Sequence, residues 1–150
     1  MKIGFTGTQI GINLLQKEKL HKLLFRIHSS YNKIEEVHHG DCIGADEQFH
    51  DTVRKINFLI KIIIHPPINE SKRAFCKGDI ILPQKEYIVR NHDIVDVCDI
   101  LIATPKEVEE VLRSGTWSTV RYAFKNTKQI AIINRKTGNI EDYIYKKLLK

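Results

Sequence analysis

The stretch Glu36-Val37-His38-His39-Gly40-Asp41-Cys42-Ile43-Gly44-Ala45-Asp46 sets the reading of the chain. A short strand, Glu36 to His39, runs into a turn flanked by two glycines. Gly44-Ala45 then opens a helix that continues to about Lys55. The same order recurs on both sides. Upstream, Lys2 to Thr6 reads as a strand ending in Gly7-Thr8. A helix from about Asn13 to His28 follows, with Leu15, Leu20, Leu23, Leu24 and Ile27 on one apolar stripe. Downstream, Phe58 to His65 is a β-branched run stopped by Pro66-Pro67. Gln84 to Val97 reads as a third helix, Asp99 to Thr104 as a fourth strand closed by Pro105, Trp117 to Lys125 as a fourth helix and Gln129 to Asn134 as a fifth strand. Residues 68–83 and 106–116 read as long loops. Gly138 marks a turn before a short terminal helix, Ile140 to Leu149.

Strand–helix alternation predicts the α/β class: a single Rossmann-like three-layer αβα domain over residues 1–150, with a mostly parallel sheet of about five or more strands. The 150-residue length fits one domain, and 42% hydrophobic with 28% charged residues is ordinary for a globular chain. No apolar run approaches the ~20 residues of a membrane span. Met1-Lys2-Ile3-Gly4-Phe5 leads straight into a strand with no signal-peptide architecture, so a cytoplasmic protein with no membrane partner is expected. Cys42, Cys76 and Cys98 are odd in number and widely spaced, giving neither a disulfide framework nor zinc-ligand spacing. The net charge of +6 suits a phosphate-rich partner, and equally a lysine-rich surface that includes the Lys146-Lys147 to Lys150 tail.

In open parallel sheets, ligands bind beyond the carboxyl ends of the strands. Gly7-Thr8, Gly40 to Asp46, His65-Pro66 and Thr104-Pro105 all follow strands, so they are expected to converge on one rim. Gly7, Thr8 and Gln9 offer free amides and a hydroxyl to a phosphate, or make a plain tight turn. Gly40, Asp41, Cys42, Gly44 and Ala45 form the turn before the second helix, whose N-terminus attracts anions. Asp46 either satisfies the helix dipole or accepts from ribose hydroxyls. Cys42 is a packing thiol, or a thiolate lowered by the helix end. Adjacent His38 and His39 point to opposite faces of a strand and cannot share one metal, so no metal is expected. Arg90 and Asn91 sit on the third helix, where an arginine suits bidentate phosphate contact or a surface ion pair. Ser114, Gly115 and Thr116, with Thr119 beyond them, form a hydroxyl-rich helix start, which is a phosphate site or a simple N-cap. Trp117 either stacks on a base or anchors the core.

These four elements, in this order and spacing, resemble the SLOG superfamily of Rossmann-like proteins between residue 2 and about residue 134. Ser114 to Ala123 and Arg90-Asn91 are similar to segments of the DNA-processing protein A family. The Gly40 to Asp46 turn and His65-Pro66 are similar to YspA-like members. The LOG-type phosphoribohydrolases carry a glycine-rich run ending in a glutamate, and Tyr122 stands at that glutamate's position. A tyrosine supplies no carboxylate, so Asp46 with Arg90, or Asp93, become the catalytic candidates if there is turnover. The resemblance implies a binder of a nucleotide or nucleotide-derived molecule, such as an ADP-ribose-like or cyclic signalling nucleotide, acting as a sensor or sequestering protein without a bound cofactor. It leaves two alternatives, an N-glycosidic hydrolase or transferase and a single-stranded DNA binder. It also implies a homo-oligomer.

Overall fold

The computed structural model describes residues 1–143. Its elements are β1 (Lys2–Gly7), α1 (Leu14–Ser29), β2 (Glu36–His39), α2 (Ala45–Ile56), β3 (Lys61–Ile64), β4 (Ile80–Ile81), α3 (Tyr87–Val97), β5 (Ile100–Thr104), α4 (Gly115–Lys125), β6 (Gln129–Ile133) and β7 (Ile140–Asp142). They build one three-layer α/β domain around a seven-stranded sheet of order β4-β3-β2-β1-β5-β6-β7. Every pairing is parallel except β6 with β7.

Alternation along the strands divides the core in two. On β5, Ile100 and Ile102 face the side covered by α1 and α2, where Leu20, Leu24, Phe49 and Val53 are buried. Leu101 and Ala103 face the other side, against Val95 of α3 and Trp117, Val120 and Ala123 of α4. This period of two, with both faces covered, is why the strands read as continuous apolar runs. Asn13 caps α1, its side chain accepting from the Gln16 N–H. Gln16 is fully buried and its amide donates to the carbonyls of Pro105 and Ile133, fixing the start of α1 to the ends of β5 and β6.

Three elements depart from the sequence expectation. The Phe58 to His65 run is a strand only over Lys61–Ile64, because Arg54 donates to the carbonyls of Phe58 and Ile60 and holds a turn there. Within 68–83, Ile80–Ile81 pairs with Ile63 and Ile64 as a parallel edge strand. Asp79 secures it by accepting from the Ile62 N–H at 2.7 Å and from Arg54 at 2.9 Å. Ile140–Asp142 is antiparallel strand rather than helix, closed onto β6 by a turn in which Asn134 accepts from the amides of Lys136 and Thr137 and Gly138 takes φ +71°. The rest of the expected terminal helix, residues 144–150, lies outside the described residues. Among the described residues, no helix is long and apolar enough to cross a membrane.

The chain runs outward from β1 to β4 on one side of the sheet, then crosses to β5 and β6 on the other. The carboxyl ends of β1 and β5 are therefore a topological switch point, where loops diverge and leave a crevice.

Candidate functional site

A cavity of about 410 Å³ opens at that switch point, within the size range of small-molecule sites. The end of β1 contributes Gly7, Thr8 and Gln9, the turn after β2 contributes Cys42, and α2 contributes Asp46. From α3 come Tyr87, Arg90 and Asn91. The segment after β5 contributes Lys106, Glu107 and Arg113, and the start of α4 contributes Ser114, Gly115 and Thr116. Of the turns expected to converge on one rim, Gly7-Thr8 lines this cavity and the Gly40 to Asp46 turn reaches it with Cys42 and Asp46, whereas Thr104-Pro105 does not line it and only the residues after it do. His65-Pro66 turns away, and His65 lines a separate small cavity with Lys85 and Asp93.

Arg90 is the centre of the site. It is 4% exposed, and its guanidinium lies 4.5 Å over the Tyr87 ring. Nη2 donates to Cys42 Sγ at 3.0 Å, while Nη1 stands 4.0 Å from Asp46 Oδ2. Its Nε is buried without a partner, a costly state for a charged donor. The network continues through Cys42 Sγ and the Tyr87 hydroxyl, 3.0 Å apart, to Gln9, whose amide donates to that hydroxyl. Burial, then the nearby Asp46 carboxylate, push the Cys42 thiol up from its ordinary value. Cys42 is thus a packing thiol and not the lowered thiolate that a helix end would favour. Burial also pushes the Asp46 carboxyl up to about 6, against the pull of Arg90 and the Cys42 N–H.

The turn before α2 uses its own amides. The Asp41 N–H donates to His39 Nδ1, Cys42 N–H to Asp46 Oδ2, Ile43 N–H to the Lys72 carbonyl and Ala45 N–H to the Thr8 carbonyl. Gly44 takes φ +98°, and a side chain there would run into the Gln9 carbonyl. Gly40 is bare because a Cβ would overlap the Arg90 guanidinium. Asp41 is fully buried and accepts from Arg73 Nε and from the Cys76 N–H, both at 2.9 Å. Gly40, Asp41, Gly44 and Ala45 therefore stand behind the cavity wall, where they shape it and tie the 69–78 segment to β2.

The start of α4 is different. Ser114 caps it, its hydroxyl accepting from the Trp117 N–H at 3.2 Å. Apart from its chain neighbours and its own helix backbone, nothing lies within 4 Å of where a Gly115 Cβ would sit. The N–H groups of Gly115 and Thr116 belong to the first turn, where a helix provides no acceptor of its own. Thr119 directs its hydroxyl to the Gly115 carbonyl, and Trp117 is buried in the core beside Tyr143, so neither lies on the cavity wall. Tyr122 is also elsewhere. It donates to Asp96 at 2.9 Å and stacks on His92 at 3.6 Å, and Asp93 is ion-paired with Lys85 at 2.6 Å. The carboxylates on the cavity wall are Asp46 and Glu107.

Sequence reasoning missed Tyr87, Lys106, Glu107 and Arg113. The last three belong to the loop after Thr104-Pro105, and the carboxyl-end rule applied to β5 would have included them.

His39, His50 and Cys76 bring three potential metal-ligand atoms within 4.8 Å of one another. Their hydrogen bonds do not suit an ion. His39 Nδ1 accepts the Asp41 N–H, so Nε2 carries the proton and donates it to His50 Nδ1 at 3.0 Å. Burial holds His39 well below the usual histidine range, in this neutral form. A metal at Nε2 would have to displace that proton while Nδ1 still faces a donor.

No family model matches the chain, and no curated protein matches it in sequence. Solved structures do match. The molybdenum cofactor binding protein from the phototrophic bacterium Rippkaea orientalis superposes with a TM-score of 0.67 at 20% identity, over 99% of this chain and 81% of that one. The molybdenum cofactor carrier protein from Chlamydomonas reinhardtii superposes with a TM-score of 0.62 at 16% identity, over 87% of this chain and 75% of that one. At such identities the likeness is one of fold: this chain shares a Rossmann-like three-layer architecture with molybdenum cofactor carrier proteins.

Proposed function

We propose that the switch-point cavity binds a phosphorylated, nucleotide-like small molecule. The observation that carries this reading is the buried Arg90, whose Nε has no partner, beside a helix start left open at Gly115. A guanidinium with an unmet donor and the positive end of a helix both call for an anion. Lys106 and Arg113 add positive charge to the wall. The structural neighbours, named for binding a molybdenum cofactor, support a small-molecule cargo on this fold. For this chain the expected ligands are nucleotides, ADP-ribose-like molecules or cyclic signalling nucleotides, held by Thr8, Gln9, Arg90, Asn91 and the Ser114–Thr116 turn. Sensing or sequestering such a molecule requires no turnover.

Isothermal titration against a panel of nucleoside mono- and diphosphates, ADP-ribose and cyclic dinucleotides tests the reading. Saturable binding of at least one compound, competed by others sharing its phosphate group, is expected. A panel silent at millimolar concentration refutes it. One observation favours a second reading, hydrolysis at the sugar: Asp46, with a carboxyl pushed up to about 6, lies on the cavity wall and could hold a proton near neutrality. Base release from a nucleotide, lost in Asp46→Asn, supports that reading, and its absence leaves binding alone. Self-association, the expectation from the family resemblance, is read by light scattering of the free protein.

A further inference from the structure

Glu107 is the feature that a plain anion site does not explain. It lies on the wall of a cavity otherwise furnished for negative charge, with Arg90, Lys106 and Arg113. Its Oε2 is shielded from water and has no hydrogen-bond partner. Among the described residues it makes no ion pair with any of the three cations. A shielded carboxylate oxygen without a donor is destabilising in the empty protein. Such an atom on a cavity wall is accounted for when a ligand brings the missing donor.

We propose that Glu107 is the cavity's specificity determinant: it accepts a hydrogen bond from a hydroxyl or amino group of the phosphorylated ligand and repels anions that carry no such group. This rests on the small-molecule reading above and narrows it. The ligand class becomes a phosphate ester of a polyhydroxylated or amino-bearing group, such as a phosphosugar or a nucleotide. Inorganic phosphate and pyrophosphate are excluded by the same carboxylate. The site then has two halves. The start of α4 and the cations bind charge, and Glu107 tests what the charge is attached to. Tyr122, at the position of the family glutamate, has no part in this, because its hydroxyl is engaged by Asp96 outside the cavity.

The experiment is titration of the whole protein and of Glu107→Gln and Glu107→Ala with four compounds: AMP, ribose 5-phosphate, 2′,3′-dideoxy-AMP and inorganic pyrophosphate. In both variants AMP is expected to bind about tenfold or more weakly, the size of a lost hydrogen bond to a charged group. Pyrophosphate is expected to bind more tightly, since the like charge that excludes it has gone, and unchanged binding counts against the proposal. The two intermediate compounds identify the donor. Sensitivity of ribose 5-phosphate to the substitution assigns sugar hydroxyls, and sensitivity of dideoxy-AMP assigns the base amino group. The melting temperature of the free Glu107→Gln protein should not fall, because the replaced oxygen has no partner to lose. A uniform loss across all four compounds, or no change in AMP binding, overturns the proposal while leaving the small-molecule reading intact. If the unsubstituted protein binds none of the four or the wider panel, both fall together.

Discussion

Acidification tests how the buried histidines are held. His38, His39, His50 and His65 are all buried, and each is pushed below the ordinary histidine value, first of all by burial. For His65 the shift is from 6.5 to about 4. Between those values the unfolded chain binds a proton that the native state does not, so stability rises with pH. The contribution is present above about pH 6.5 and is lost as pH falls towards 4. At ~1.4 kcal/mol per unit, His65 alone accounts for about 3 kcal/mol. Asp46 opposes it. Its carboxyl is raised from 3.8 to about 6, so the native state holds the extra proton in that interval, and acidification through it returns about 3 kcal/mol. Those two groups nearly cancel. His38, His39 and His50 all act in the sense of His65, so histidine wins and acidification from pH 7 to 4.5 is a net loss of stability. Against a total of roughly 5–15 kcal/mol the His65 share alone is a large fraction. Urea unfolding at pH 7.5, 6.0, 5.0 and 4.5 reads it. The single tryptophan, Trp117, is buried and serves as the fluorescent reporter. The midpoint should fall steadily below pH 6.5 with an unchanged slope against denaturant. In His65→Gln the pH dependence should shrink by the His65 share. A midpoint at pH 5.0 equal to or above that at pH 7.5 refutes the argument.

The two helix-opening glycines should respond in opposite ways. Gly44→Ala forces a side chain into φ +98° against the Gln9 carbonyl and should cost about 3 kcal/mol in chemical denaturation, whereas Gly115→Ala enters open space, keeps or raises stability and weakens phosphate binding by titration. Asp41→Asn keeps a residue that tolerates the φ of 58° but removes the charge facing Arg73; it should cost ~2 kcal/mol and speed tryptic cleavage at Lys72, Arg73 and Lys77, read by mass spectrometry. Arg113→Ala should weaken every phosphorylated ligand about equally and flatten the salt dependence of binding, as loss of a rim charge does. Because an anion on Arg90 destabilises the Asp46 carboxylate 4.0 Å away, ADP-ribose should bind with proton uptake near pH 6–7, measured as a buffer-dependent heat that Asp46→Asn abolishes.

The strands and helices around the switch point were readable because each is set by its own periodicity. The elements that were not readable depend on partners distant in sequence. Ile80–Ile81 has two residues and no local signal; Asp79 and Arg54, from different parts of the chain, hold it on β3. Ile140–Asp142 has neighbours spaced suitably for a helix, but the Asn134 turn aims it back at β6, and the ladder prevails over local preference. The site divides in the same way. Gly7 to Gln9, Arg90-Asn91 and Ser114 to Thr116 follow from position after strands and at helix starts. Lys106, Glu107 and Arg113 look in composition like an ordinary solvated loop, and only their place after the carboxyl end of β5 marks them for the cavity.

A glycine at a helix start carries the same letter whether it makes room for a ligand or for the protein itself, and the two turns of this chain show both cases. At α2, Gly40 gives way to the guanidinium of Arg90 and Gly44 to the Gln9 carbonyl, and the surrounding amides are already bonded to His39, Asp46, Lys72 and Thr8. That helix start is closed by its own chain, and its role is to fix Arg90 and Asp46 in the cavity floor. At α4, Gly115 gives way to nothing. The positive end of that helix has first-turn amides it cannot satisfy internally, and the proposed function gives them the anion. The division has an electrostatic consequence. Arg90 is only partly compensated, by a carboxylate that burial is already driving towards its neutral form, so the cavity floor gains positive character as Asp46 takes up its proton. A phosphate meeting that floor faces the bound helix dipole on one side and an under-neutralised guanidinium on the other, which is why we place the charged end of the ligand between Arg90 and Gly115 and its uncharged part towards Glu107.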